Sequence, residues 1–198
     1  MNGEKVERQF ANIEGNLPMR WFWIDRFEKF TVGREAVTIK NITLAEEPLD
    51  DYLPGHPHYP HSLIIEGMAQ TGGLLLSQME QFLQRVVLAK VAKADFFFVA
   101  KPGDQLRLTA KLVALQSEGA LVEGTVEVDG QRQAEMELTF AILDESFGKE
   151  PFFIARDLLR VLRAMRLFDV ARTESGQRIE VPQHMLDDEN AYLAANAI

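Results

Sequence analysis

With 198 residues, 46% of them hydrophobic and 26% charged, the chain has the composition of an ordinary soluble globular protein, long enough to bury one full core with an appendage. A formal charge of -9 argues against nucleic acid as a partner, because non-specific affinity for DNA or RNA comes mainly from Lys and Arg neutralising phosphates. The lack of cysteine excludes disulfides, zinc-thiolate sites and thiol nucleophiles. No run reaches the length that spans a bilayer, and the start, MNGEKVERQFANIEGN, lacks the apolar core of a signal peptide, so no membrane partner and a cytoplasmic location are expected.

Residues 1 to 16 are polar and read as a short helix or loose lead-in. The aromatic run Met19 to Phe30 reads as the strand that begins a sheet, and Asp25 beside Arg26 as a structural ion pair. Gly33 marks a turn, and Glu35 to Leu44 alternates apolar with polar residues as a half-buried strand should. The loop from Ala45 to His61 holds four prolines, which rule out regular structure and stiffen the chain. It also holds His56, His58 and His61. Their H-x-H-x-x-H spacing matches no known metal geometry and has no cysteine support, so these imidazoles are expected to line a pocket or face solvent, with no metal.

Ser62 to Gln84 reads as a helix buried on nearly every side, with Ser62 as its N-cap. One row departs from that: Ser62, Glu66, Gln70, Gly73 and Ser77 recur at steps of three and four and stack along one line. A carboxylate entering an apolar interior must be paired, hydrated or protonated, which singles out Glu66; the alternative is the solvated edge of an amphipathic helix. Val86 to Ala94 reads as an apolar linker and Phe96 to Val99 as a strand closed by the turn Lys101 to Asp104. Strands follow at Gln105 to Leu115, Gly119 to Val128 and Gln131 to Leu143, the last two joined by a tight Asp129-Gly130 hairpin. Two strands, one buried helix and four strands predict an α+β fold, an antiparallel sheet with its helices gathered on one face.

Residues 146 to 198 differ in character and are read as a helical extension to a domain spanning 1 to 145. Phe152 to Val170 is an amphipathic helix with Arg156, Arg160, Arg163 and Arg166 largely on one side, and a short final helix follows. The arginine row is either a docking face for an acidic partner or a solvated face of a packed helix. His184 is isolated and expected to be exposed.

Tyr52 to Glu66 read Y-L-P-G-H-P-H-Y-P-H-S-L-I-I-E, followed by Gly67, Met68, Ala69, Gln70, Thr71, Gly72 and Gly73. This resembles, without a gap, the H-F-P-G-x-P-x-M-P-G-x-L-x-x-E and A-M-A-Q-x-G-G patterns of the FabZ-type (3R)-hydroxyacyl-ACP dehydratases. WIDRF, VTIKNITLAEEP and KPGDQL extend the resemblance over about residues 18 to 143. It implies a hot-dog fold, a sheet wrapped around a long central helix, and a homodimer or a trimer of dimers acting on acyl carrier protein or CoA thioesters in fatty-acid synthesis. No cofactor is expected. In that family a histidine of one subunit removes the α-proton of a 3-hydroxyacyl thioester. A carboxylic acid of the other protonates the departing hydroxyl, and an amide at the helix start holds the enolate-like oxygen. By resemblance Glu66 is the acid, Gln70 the glutamine that orders it, the His61 amide the oxyanion donor, and Gly73 part of the substrate-binding row.

The histidine position holds Tyr52, and a phenol with a pKa of about 10 is a poor base at neutral pH. Three readings stay open. His56 or His58 supplies the base; or Glu66 works alone with water, as in hot-dog thioesterases and hydratases; or the protein binds acyl thioesters without turning them over.

Overall fold

The computed structural model describes residues 22–46, 49, 55, 57–143 and 152–196. Tyr52 and His56 lie outside the described residues, as does the N-terminal lead-in. The elements are β1 (Arg26–Thr31), β2 (Glu35–Asn41), α1 (His61–Met79), β3 (Arg85–Phe96), β4 (Gln105–Gln116), β5 (Gly119–Val128), β6 (Gln131–Leu143), α2 (Ala155–Ala164), α3 (Leu167–Val170), β7 (Ala171–Arg172) and α4 (Gln183–Ala195).

The strands form one sheet in the order β3-β6-β5-β4-β2-β1-β7, antiparallel throughout except for the two-residue pairing of β7 with β1. Four long strands follow α1, as the alternation predicts. The first of them differs from expectation. Val86 to Ala94 is no linker but the body of β3, paired with β6 over ten positions from Arg85↔Leu143 to Phe96↔Ala134, and Phe97 to Val99 fall beyond its end. The reason is its place: β3 is an edge strand, exposed over Ala89 to Lys93, so it needs neither clean alternation nor a continuous apolar run.

α1 lies across this sheet. Ile64, Met68 and Leu76 pack on Leu106, Leu108, Val122, Val126, Leu138 and Phe140, all nearly inaccessible to solvent. Small residues let the layers approach. A Cβ on Gly72 would meet the Phe140 ring at 3.0 Å, and one on Gly67 would meet the Trp23 carbonyl oxygen at 3.2 Å. The buried hydroxyls of Thr38 and Thr71 satisfy each other at 2.7 Å, and Thr71 Oγ1 also donates to the Gly67 carbonyl at 2.8 Å, which ties α1 to β2 without an orphaned polar group. The helix begins one residue earlier than expected: Pro60 is its N-cap, no side chain caps it, and Ser62 is exposed within the first turn.

The segment after the sheet forms a second core. Leu158, Leu159 and Leu162 of α2, with Leu167, Phe168 and Met185, pack on Phe27, Phe30, Leu74 and Leu75. The single helix expected over 152 to 170 is broken at Arg166, which sits at φ 63 between α2 and α3. That break turns the chain so that Ala171 reaches β1 and adds β7 to the sheet. Arg156, Arg160 and Arg163 meet acidic side chains of the same chain: Asp188 at 3.2 Å, Asp157 at 3.6 Å and Glu189 at 2.7 Å, while Arg166 is 3.6 Å from Asp169. Arg156 and Arg160 also lie over the Tyr192 ring, 4.6 and 5.3 Å from its centroid. The basic face of α2 is thus matched by α4, which is longer than the short final helix expected.

Candidate active site

The polar row of α1 opens onto a groove of about 310 Å³, to which Glu66, Gln70, Gly73 and Ser77 contribute along its length. Its other walls are apolar: Phe22, Ala69, Leu74, Val86, Val87, Leu88, Phe140 and Phe153. The row is therefore the inner wall of a groove, not merely the wet edge of a helix. Ser62, its first member, is absent from that wall.

Glu66 is half-buried, and its position is set by a relay of two hydrogen bonds. The backbone N–H of Trp23 donates to Gln70 Oε1 at 2.8 Å, and Gln70 Nε2 donates to Glu66 Oε1 at 2.9 Å. A backbone N–H can only donate, so Trp23 forces the carbonyl oxygen of Gln70 toward itself and the amide nitrogen toward Glu66. Oε1 of the carboxylate is thereby occupied as an acceptor. A proton carried by Glu66 then belongs on Oε2. Gly67 enables this arrangement, since a larger residue would press on the Trp23 carbonyl from the adjacent turn.

His61 is the first residue of α1, where backbone N–H groups have no intrahelical acceptor and the helix dipole is positive. Its amide is thus of the right kind to hold developing negative charge on an oxygen. Its ring stacks flat on Phe96, with centroids 3.9 Å apart and planes 2° from parallel. Burial pushes the imidazole below its ordinary pKa, and the neighbouring His58 adds to the shift. Nε2 of His61 is buried with no hydrogen-bond partner among the described residues. His58 is half-buried and, with Leu44, Gly55, Pro57, Val99, Lys101 and Pro102, lines a separate recess on the approach to α1. The described part of the histidine loop therefore does not line the Glu66 groove within the chain; His58 and His61 are neighbours, but Glu66 opens elsewhere.

Asp25 accepts hydrogen bonds from the Asn41 backbone at 2.7 Å and side chain at 2.9 Å, and lies 3.7 Å from Lys40. It is structural as expected, though its partners come from the next strand and not from Arg26. His184 lines a second cavity, with Phe82, Leu83, Met185 and Asp188 among its neighbours. Three features of the site escape sequence reading: the Trp23 main chain that holds Gln70, the Val86 to Leu88 wall and Phe153. Main-chain direction leaves no trace in residue type, and Phe153 is separated from Glu66 by most of the sheet.

A sequence profile described as the FabA-like domain matches residues 17–137. The 3-hydroxyacyl-[acyl-carrier-protein] dehydratase FabZ of Ligilactobacillus salivarius is 36% identical over 135 residues, covering 67% of this chain and 96% of that protein. FabZ of Clostridium acetobutylicum is 32% identical over 139 residues, covering 70% and 97% respectively. Among solved structures, smu.793 from Streptococcus mutans UA159, bound to acetyl CoA, superposes with a TM-score of 0.51 at 19% identity, covering 65% of this chain and 96% of that one, which is a likeness of fold. With a polar row on a central helix, a sheet wrapped on it and this extent of identity, the chain belongs to the FabA-like family of hot-dog dehydratases, of the FabZ type.

Proposed function

We propose that this protein is a 3-hydroxyacyl-ACP dehydratase that removes water from 3-hydroxyacyl thioesters to give trans-2-enoyl thioesters. The carrying observation is the hydrogen-bond relay that holds Glu66 by one oxygen in the wall of a mostly apolar groove. In the reaction a base takes the α-proton, the C–O bond at C3 breaks, and Glu66 delivers its proton to the departing hydroxyl, which leaves as water. The electron pair from the C–H bond passes through an enolate-like state, and the His61 amide at the positive end of α1 stabilises its oxygen. His58 is the base. Its support is its place beside His61, whose amide opens α1, and the capacity of an imidazole to accept a proton.

Because the His58 recess and the Glu66 groove are separate within one chain, the complete site draws on two chains. β3 supports the homodimer this requires. It is a 12-residue strand whose outer edge carries no neighbour among the described residues, with Val91 exposed on it and Phe97, Phe98 and Val99 just beyond.

Hydration of a crotonyl- or longer enoyl-ACP, the reverse reaction, tests the proposal. The expected result is turnover that Glu66→Gln lowers by two orders of magnitude or more, roughly the range for loss of one acid–base group. Absence of turnover on ACP and CoA thioesters alike, or thioester cleavage in its place, would sink it.

A further inference from the structure

The groove carries a carboxylate and an amide at Glu66 and Gln70 and only the Ser77 hydroxyl further along, with apolar side chains making up the rest, which suits a substrate that reacts at its head and buries a tail. From Glu66 to Ser77 the row runs 11 residues along α1, roughly 16 Å at the helical rise. Two residues lining the groove come from neither α1 nor the sheet: Phe22, which precedes β1, and Phe153. Phe153 lies in the segment leading into α2, beyond the residues matched by the family profile.

Phe153 also lines the second cavity, of about 390 Å³, which lies under the turn following α1 and is bounded by Phe82, Leu83, Leu158, His184 and Met185. It belongs to both cavities and so stands between them. The chain makes contacts on either side of it. The following helix is anchored through buried Leu158, Leu159 and Leu162, and the preceding Phe152 lies under the Arg85 guanidinium, 5.7 Å from its ring centroid.

We infer that Phe153 is the end wall of the acyl groove and sets the longest acyl chain the enzyme accepts. The inference rests on the dehydratase reading for the identity of the head group, but not for the tail. Removing the ring joins the two cavities and opens room for a longer hydrocarbon, up to the polar side chains of the far cavity, Gln84, Arg85, His184 and Asp188.

The test uses the full chain and 3-hydroxyacyl-ACP substrates from hydroxybutanoyl to hydroxyhexadecanoyl. Phe153→Ala should move the optimum to longer chains, raising kcat/KM for the longest relative to the shortest by about tenfold, the range a hydrophobic pocket commands per methylene or two. Phe153→Trp should move it the other way. Binding of saturated acyl-pantetheines of the same lengths, measured by calorimetry, reads the groove without turnover. If both variants keep the wild-type length profile in turnover and in binding, the wall is refuted while the dehydratase stands. A shift in binding preference without any turnover supports the wall and refutes the dehydratase. Phe153→Leu, with a thermal melt matching the wild type, guards against misfolding and should give an intermediate profile.

Discussion

Gln70 donates to Glu66 across one turn of α1 at 2.9 Å, and it faces the right way because the Trp23 backbone N–H holds its carbonyl oxygen at 2.8 Å. The acid is thus positioned by a residue from before the first strand, through a side chain whose two ends cannot be exchanged. In the proposed reaction Gln70 acts as a positioning residue. Gln70→Leu is expected to lower kcat by about tenfold to a hundredfold with little change in KM, since a small misplacement of a reacting group is enough for such a loss. Gln70→Glu puts a second carboxylate beside the first, so the activity profile should shift to higher pH as the pair resists double ionisation. Steady-state kinetics across pH check both; an unchanged profile in Gln70→Glu contradicts the contact.

Tyr52 occupies the place where the family resemblance expects a basic histidine. Tyr52→His is therefore expected to raise kcat/KM for enoyl-thioester hydration by about a hundredfold, toward the contribution of a well-placed base. His58→Ala should remove most wild-type activity yet matter little in the Tyr52→His background. If His56→Ala shows that pattern and His58→Ala does not, the base is His56.

His61 carries a pH dependence of stability. Its imidazole is held below the ordinary value of 6.5, chiefly by burial and then by His58, so the unfolded chain binds a proton more readily than the folded one. The associated stability is fully present above pH 6.5 and is lost as pH falls through the folded value. Urea unfolding from pH 7.5 down to about 5 should show this decline. His61→Phe preserves the stack on Phe96, removes the buried unpaired Nε2 and should flatten the curve in that window. Glu35, held below 4.5 mainly by its hydrogen bond from Lys29, contributes its own loss only at more acidic pH, which keeps the two effects apart.

Arg156 reaches both Asp188 and the face of Tyr192. Arg156→Ala is expected to cost about 1 kcal/mol in chemical denaturation, as partly screened pairs of this kind do. Because the α2 arginines are matched within the chain, replacing Arg160 and Arg163 by Gln should leave acyl-carrier-protein affinity unchanged at low salt. A weakened carrier interaction would return this face to the status of a docking surface.

The alternation of β2, β4, β5 and β6, the Asp129-Gly130 hairpin and the row from Glu66 to Ser77 follow from local chemistry, because burial on one face and a turn's backbone angles are written in neighbouring residues. The motif around Glu66 carries the family in the same way. What lies between distant segments was decided by packing. The edge position of β3 made its irregular pattern acceptable, the break at Arg166 brought β7 to β1, and α4 supplied the acids that match α2. The site shows the same division. Residue type and helical spacing place Glu66 and Gln70 on one line, but the orientation of Gln70 depends on a backbone amide 47 positions away, and the end of the groove on Phe153. A hydrogen bond to main chain and a wall contributed from beyond the sheet exist only once the chain has folded, because neither depends on a local pattern that sequence can repeat.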